Sequence, residues 1–180
     1  MRVIAGSAGG LTLVVPRGAA TRPITDRVKE TLFAILGDRV VDARVLDLYA
    51  GSGAVGIEAL SRGASEATFV ERGRAALAAI RTNLERTGLA AAARVEASDV
   101  EPFLATTRSA SWDLVVLDPP YAERAIVAPL RALRPHLAPH ATVVVKHHWR
   151  SAAPDDETLR TTRQRRFGET MLTFMEATDR

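Results

Sequence analysis

The chain has 180 residues, 47% of them hydrophobic and 25% charged, a length and balance that suit one globular domain with a substantial core. It has no cysteine, which excludes a disulfide framework and a thiolate metal site. A formal net charge of +3 permits an anionic partner without requiring one, and the longest strictly apolar run, Ala75 to Ile80, is far too short to cross a bilayer.

Met1 to Gly6 lacks the long apolar stretch of a secretion signal, so a cytoplasmic location without a membrane partner is expected. Val3 to Ala5 and Leu11 to Val15 are β-prone runs separated by Gly6 to Gly10. They predict a small hairpin, an N-terminal extension over residues 1–20 of a single domain spanning 1–180. A helix follows, with Thr25 or Asp26 as N-cap, Val28, Leu32, Ile35 and Leu36 at helical spacing, and Gly37 as its stop. Arg2, Arg17, Arg22, Arg27 and Lys29 face only Asp26 and Glu30 as acids in this region. A solvated surface and an anion-binding arm explain that excess equally well.

Val45 to Leu48 reads as a strand, Tyr49 to Gly53 as a loop, and Ala54 to Ser61 as a helix stopped by Gly63. Gly51-Ser52-Gly53-Ala54-Val55-Gly56 matches G-x-G-x-x-G in the context that motif requires, after a strand and opening a helix. Ala67 to Val70 is the second strand and ends in Glu71, about twenty positions after Gly51. An acid there can accept both ribose hydroxyls of a nucleoside. Ala75 to Thr87 is a helix ended by Gly88, and Arg94 to Ala97 a third strand. Asp99, past its tip, is placed to accept from an adenine amino group or to cap a helix.

Leu114 to Leu117 is a short apolar run of the kind buried on both faces of a parallel sheet. Asp118 ends it, because Pro119 and Pro120 lack the N–H groups to continue a ladder. Tyr121 follows. This stiff corner suits a planar amino group held by the Asp118 carboxylate and the Pro119 carbonyl, with Tyr121 stacked on the attached ring. Ala125 to Leu133 is then a helix and Thr142 to Val145 a fifth strand. The adjacent His147 and His148 point to opposite faces if extended, so no metal site is expected. Thr158 to Arg166 and Met171 to Ala177 flank Phe167-Gly168-Glu169-Thr170 and predict an antiparallel hairpin at the sheet edge. Arg160, Arg163, Arg165 and Arg166 crowd its first strand, as a protected edge or an RNA contact would. Five strands alternating with helices make a doubly wound α/β sheet. Right-handed crossovers then set Gly51, Glu71, Asp99 and Asp118 along one edge.

The glycine loop and the acid after the second strand suit NAD and S-adenosylmethionine alike. Asp47 favours the latter, since a negative charge before the loop suits a methionyl ammonium and sulfonium better than a pyrophosphate. The Asp118 corner has no role in hydride transfer. Asp118-Pro119-Pro120-Tyr121 matches the (Asn/Asp)-Pro-Pro-(Tyr/Phe) signature of methyltransferases acting on exocyclic or amide nitrogens. Val45 to Gly53, with Asp47, Tyr49, Ala50, Gly51, Ser52 and Gly53, resembles their first cofactor motif. With Arg22 to Glu30, Gly56 to Ala64 and Phe167 to Thr170 added, the chain resembles the bacterial RsmD family, which methylates guanine N2 in 16S rRNA of the small ribosomal subunit. Ile24 departs from the family's usual Thr, and Lys146-His147-His148 is unusual.

The resemblance implies a Rossmann-like class I S-adenosylmethionine-dependent methyltransferase, mostly parallel, with the terminal hairpin inserted as strands six and seven. It implies that Thr25, Asp26 and Arg27 help hold the methionine end of the cofactor. An aromatic amine is a poor nucleophile, and two acceptors holding its hydrogens localise its lone pair for direct in-line displacement. The expected partner is small-subunit ribosomal RNA within a partly assembled subunit, met by a monomer through Arg2, Arg17, Arg22, Arg163, Arg165 and Arg166. The corner alone also fits a DNA adenine or cytosine or a protein glutamine amide. Beyond methyl transfer, an NAD-dependent oxidoreductase and a catalytically silent RNA-binding assembly factor are the competing readings.

Overall fold

The computed structural model describes residues 1–16, 24–108, 111–119, 124–151 and 158–177. The apolar runs become strands β1 (Arg44–Leu48), β2 (Glu66–Glu71), β3 (Ala93–Ala97), β4 (Trp112–Leu117) and β5 (Leu137–His148), all parallel. Strands β6 (Leu159–Phe167) and β7 (Thr170–Ala177) form the antiparallel hairpin, and β7 inserts beside β5. One sheet results, in the order β3-β2-β1-β4-β5-β7-β6. Helices α1 (Asp26–Leu36), α2 (Ala54–Ser61), α3 (Arg74–Thr87), α4 (Val100–Thr106) and α5 (Arg124–Leu133) cover it.

Side chains alternate between the two faces with the period of two that extended backbone imposes. Val45, Phe69, Leu114, Val116 and Val144 meet Leu32, Ile57 and Ile80 of α1, α2 and α3. Leu46, Val70, Val115, Leu117 and Val145 meet Phe103, Leu104, Ile126 and Leu130 of α4 and α5. Both faces are therefore covered, which is why the central strands are apolar runs rather than alternating ones. Thr25 caps α1, its Oγ1 accepting from Val28 N–H at 3.3 Å, and Gly37 ends the helix as expected.

Three elements depart from the sequence-based expectation. The N-terminal hairpin shrinks to a single antiparallel bridge, Arg2 to Thr12. Its strands cannot extend because Ile4 and Ala5 donate their N–H groups to the Glu58 carboxylate on α2, at 2.7 and 3.1 Å. Strand β5 runs twelve residues rather than four, with a register shift opposite Trp112 to Leu114 and His140 in the left-handed region at φ 59°. Helix α4 has seven residues, too short to leave a periodic signal, and buries Phe103 and Leu104.

The N-terminal arm is tied down by buried polar groups. Lys29 on α1 and Glu58 on α2 are both fully buried and lie 3.1 Å apart. Arg62 Nε adds a 2.7 Å contact to the same carboxylate, and Lys29 Nζ also donates to the Arg2 carbonyl. Burial pulls the Lys29 pKa down, against the opposing charge of Glu58. Further on, Asn83 of α3 exchanges hydrogen bonds with the backbone of Val14 and donates to the Ser52 carbonyl at 2.9 Å. The arm is thus stitched to the helices and to the glycine loop.

Candidate functional site

The topology reverses between β1 and β4, since the chain leaves β1 toward β2 and β3 on one side and returns through β4 and β5 on the other. In open α/β sheets ligands bind outside the carboxyl ends of strands at such a point. Parallel register sets Leu48 opposite Val70 and Leu117, and Glu71 opposite Ala97. The tips carrying Glu71, Asp99 and Asp118 and the loop after β1 therefore share one edge, as the crossover argument expects.

On that edge Asp47 lies beneath the loop, 2% exposed, and accepts from Gly56 N–H at 3.0 Å. Among the described residues no Lys or Arg pairs with it. Burial pushes its carboxyl up to about 8; the Gly56 hydrogen bond opposes this, while the charges of Asp118 and Glu71 add to it. A buried acid surrounded by other acids is a place where a cationic group is stabilised. Asp47 thereby fits a methionyl ammonium or a sulfonium.

The loop itself leaves room for a ligand. Gly51 sits at φ 58°, and a Cβ built there would meet nothing closer than the Tyr49 carbonyl at 4.0 Å. Gly56 answers a different demand, because a Cβ there would lie 2.3 Å from the Phe69 ring on β2. Tyr49, half-buried, also adopts a positive φ of 60°, a conformation that L residues favour only where the surroundings impose it. Burial raises the pKa of its hydroxyl. Ala50 N–H donates to the Val70 carbonyl at 3.1 Å, which anchors the loop to β2.

Glu71 is more than a solvated strand-end acid. Its Oε2 accepts from Gly51 N–H at 2.9 Å, and its Oε1 from Arg72 and Gly73 N–H, both at 2.8 Å. Its first task is to pin the glycine loop to β2. A carboxylate has about four lone-pair sites, so acceptor capacity remains for a ribose. Asp99 occupies the N-cap position of α4 without a side-chain capping bond, and Arg72 Nη1 reaches it at 2.9 Å. Asp99 is exposed at the same edge.

Asp118 stands where expected, its N–H donating to the Leu48 carbonyl of β1 at 3.3 Å. Its carboxylate is paired in a way the sequence reading missed. Lys146, near the end of β5 and buried, donates to Oδ1 at 2.6 Å and to Oδ2 at 2.7 Å. The Asp118 pKa is raised by burial, and the Lys146 charge works against that rise. Lys146 therefore favours the ionised, acceptor form. The available signal was a lone Lys directly after Val143-Val144-Val145, at the tip of the strand beside the Asp118 strand. His147 spends its ring nitrogens on the His148 carbonyl at 3.0 Å and Thr173 Oγ1 at 2.8 Å.

Pro120, Tyr121, Arg17 and Arg22 lie outside the described residues. Pro119 is described and buried. Thr25, Asp26 and Arg27 start α1, and the structure gives Thr25 and Asp26 local work. Thr25 caps the helix, while Asp26 accepts from Arg2 N–H at 3.2 Å and faces Arg2 Nε at 3.9 Å. The hairpin arginines divide as strand alternation requires. Arg163 and Arg165 oppose Phe174 and Leu172 on one face, and Arg166 opposes Met171 on the other. A cavity of about 570 Å³, lined by Arg39, Asp113, His140 and Glu176, opens at the far edge of the sheet and does not adjoin this site. No helix among the described residues is long and apolar enough to cross a membrane.

Comparison with known proteins agrees with this fold. The family model described as Conserved hypothetical protein 95 matches residues 1–176. Ribosomal RNA small subunit methyltransferase D of Escherichia coli (strain K12) is 39% identical over 156 residues, covering 86% of this chain and 78% of that protein. YlbH of Bacillus subtilis (strain 168) is 43% identical over 130 residues, 71% of each chain. Among solved structures, yhhF from Escherichia coli superposes with a TM-score of 0.87 at 34% identity, covering 98% of this chain and 97% of that one.

Proposed function

Because this chain belongs to the RsmD family, Conserved hypothetical protein 95, we propose that it is an S-adenosylmethionine-dependent methyltransferase acting on the exocyclic N2 amine of a guanine in 16S rRNA of the small ribosomal subunit. The observation that carries this reading is the juxtaposition, across the β1–β4 reversal, of a buried acid beneath the glycine loop and a second acid at the strand tip before Pro119. The relatives named ribosomal RNA small subunit methyltransferase D support rRNA as the substrate class.

Asp47 would face the charged end of the cofactor, with Tyr49, Ala50, Gly51, Ser52 and Gly53 as the loop around it. Glu71 would accept from the ribose and Asp99 from the adenine amine, while Thr25, Asp26 and Arg27 would close the methionine end. When bound, the cofactor supplies a methyl group on a positively charged sulfur.

The Asp118 carboxylate and the Pro119 carbonyl would accept the two hydrogens of the target amine, localising its lone pair and stabilising the positive charge that develops on nitrogen. Lys146 would favour the ionised form of the carboxylate against burial and would fix its orientation. Pro120 would stiffen the corner, and Tyr121 would replace the stacking lost when the base leaves its neighbours. Arg2, Arg17, Arg22, Arg163, Arg165 and Arg166 would meet RNA phosphates. We read the chain as one cytoplasmic domain that works as a monomer on a partly assembled subunit.

Labelled methyl transfer to undermethylated small subunits, naked rRNA and DNA, followed by nucleoside mass spectrometry, tests the proposal. N2-methylguanosine in small-subunit rRNA is expected. Methylation confined to DNA, or tight NADH binding without S-adenosylhomocysteine binding, would overturn it.

A further inference from the structure

Beyond the end of β5, Trp149 carries a cluster of which the proposal above uses only Arg166. The Arg166 guanidinium lies 3.6 Å from the centroid of the Trp149 ring, and that of Arg150 lies 5.0 Å from it. His148 stacks beside the indole at 6.3 Å with an interplanar angle of 30°. Trp149 N–H donates to the Glu169 carbonyl at 2.9 Å, tying the cluster to the β6–β7 turn. Arg166 Nε donates to the Gly168 carbonyl at 2.8 Å. A long exposed side chain is therefore restrained twice, by a ring and by a carbonyl. Trp149 is half-buried and Arg166 exposed.

Register places the cluster at the edge that carries Asp118. His148 pairs with Thr170, and Thr170 pairs with Phe167, so the β6–β7 turn stands at the carboxyl end of β5. Lys146, three residues before Trp149, touches Asp118. Edge strands do carry charge to prevent aggregation, but that purpose needs no arginine fixed on an aromatic ring. An ordered guanidinium loses less entropy on meeting a phosphate than a free one.

We propose that Trp149, Arg166 and Arg150 form a pre-ordered RNA contact in which Arg166 binds a backbone phosphate near the target nucleotide and Trp149 holds it in place. This rests on the rRNA reading above and specifies how that substrate is gripped. A contact of this kind separates into two measurable parts. The phosphate part depends on salt, and each neutralised phosphate adds about 0.7 to the slope of log K against log salt on single-stranded RNA. The ring part does not depend on salt and sets only the affinity.

The test is binding of an rRNA fragment that the wild-type protein methylates, titrated across salt concentrations. Arg166→Gln is expected to flatten the slope by about 0.7. Trp149→Ala is expected to keep the slope but weaken binding by roughly threefold to thirtyfold, the range of a cation–π contact, with Trp149→Phe close to wild type. Arg160→Gln, on the same strand but beside Glu176 at the opposite edge, is the control and should leave the slope unchanged. The buried Trp112 is shielded, so a change in tryptophan emission on adding RNA should come from Trp149. Cofactor affinity should match wild type in all variants. An Arg166→Gln slope equal to wild type, or full RNA affinity in Trp149→Ala, would overturn the contact while methyl transfer stands. Failure of the wild-type protein to methylate any small-subunit RNA would instead remove the function, and the contact's ligand with it.

Discussion

Two carboxyls at the loop edge, Asp47 buried and Asp118 half-buried, are pushed the same way by loss of water, and their neighbours set them apart. Asp118 has Lys146 against both oxygens, whereas Asp47 has a backbone N–H and two acidic neighbours. If Asp118 must be ionised to accept from an amine, removing Lys146 leaves burial unopposed and its pKa rises further. The acid limb of the kcat/KM profile should then move to higher pH in Lys146→Met, with the loss greatest on the acid side. An unshifted limb would mean that Lys146 serves packing alone. For Asp47 the sign runs through stability. Its pKa is about 8 when folded, against an ordinary value of 3.8, so between those values the folded protein holds a proton that the unfolded chain lacks. Stability from this group is full below about 4 and declines as pH rises toward 8. Asp47→Asn should flatten that decline in urea unfolding measured from about pH 5 to 8; an undiminished pH dependence would assign it to other groups.

At the scale of elements, the stretches that mark the family turn out to be joints. Lys29 and Glu58 lie in the motifs that open α1 and α2, and the structure uses them to clamp the N-terminal arm. Spacing within each helix gave no hint of this, because the partners are far apart in sequence. Removing one member of a buried pair strands the other, typically at about 3–5 kcal/mol. Lys29→Met should show a loss of that order in urea unfolding. A loss well below about 1 kcal/mol would show that Arg62 and the arm's N–H groups satisfy Glu58 by themselves. Gly56 makes a sharper joint, since the third glycine of the loop motif lets α2 lie against Phe69 of β2. Gly56→Ala forces a contact of 2.3 Å to relax, and overpacking of this kind costs about 1–3 kcal/mol. Urea unfolding measures this too, and a variant as stable as wild type would show that the Phe69 ring can turn aside freely.

For the molecule as a whole, the sheet and its edge were legible because parallel strands buried on both faces must be apolar runs, and their tips are marked by Gly51, Glu71, Asp99 and Asp118. The terminal hairpin was legible through the turn at Gly168, and its insertion beside β5 through the family resemblance alone. What stayed hidden depended on contacts across the sheet. Lys146 reaches Asp118 from a neighbouring strand, Glu58 takes the N–H groups that a first hairpin strand would have used, and Glu71 spends one acceptor site on the glycine loop and two on the turn after β2 before any ribose arrives. Labour along this one edge is proposed to divide, with Asp47 and the loop holding the cofactor and Asp118 acting on the amine. The decisive comparison sets Asp118→Ala against wild type in two assays, S-adenosylhomocysteine binding by calorimetry and single-turnover methyl transfer to small subunits. Near-normal binding is expected, with transfer slowed by about a hundredfold or more, equivalent to about 3 kcal/mol at the transition state. Transfer at the wild-type rate in a folded Asp118→Ala protein would contradict that division.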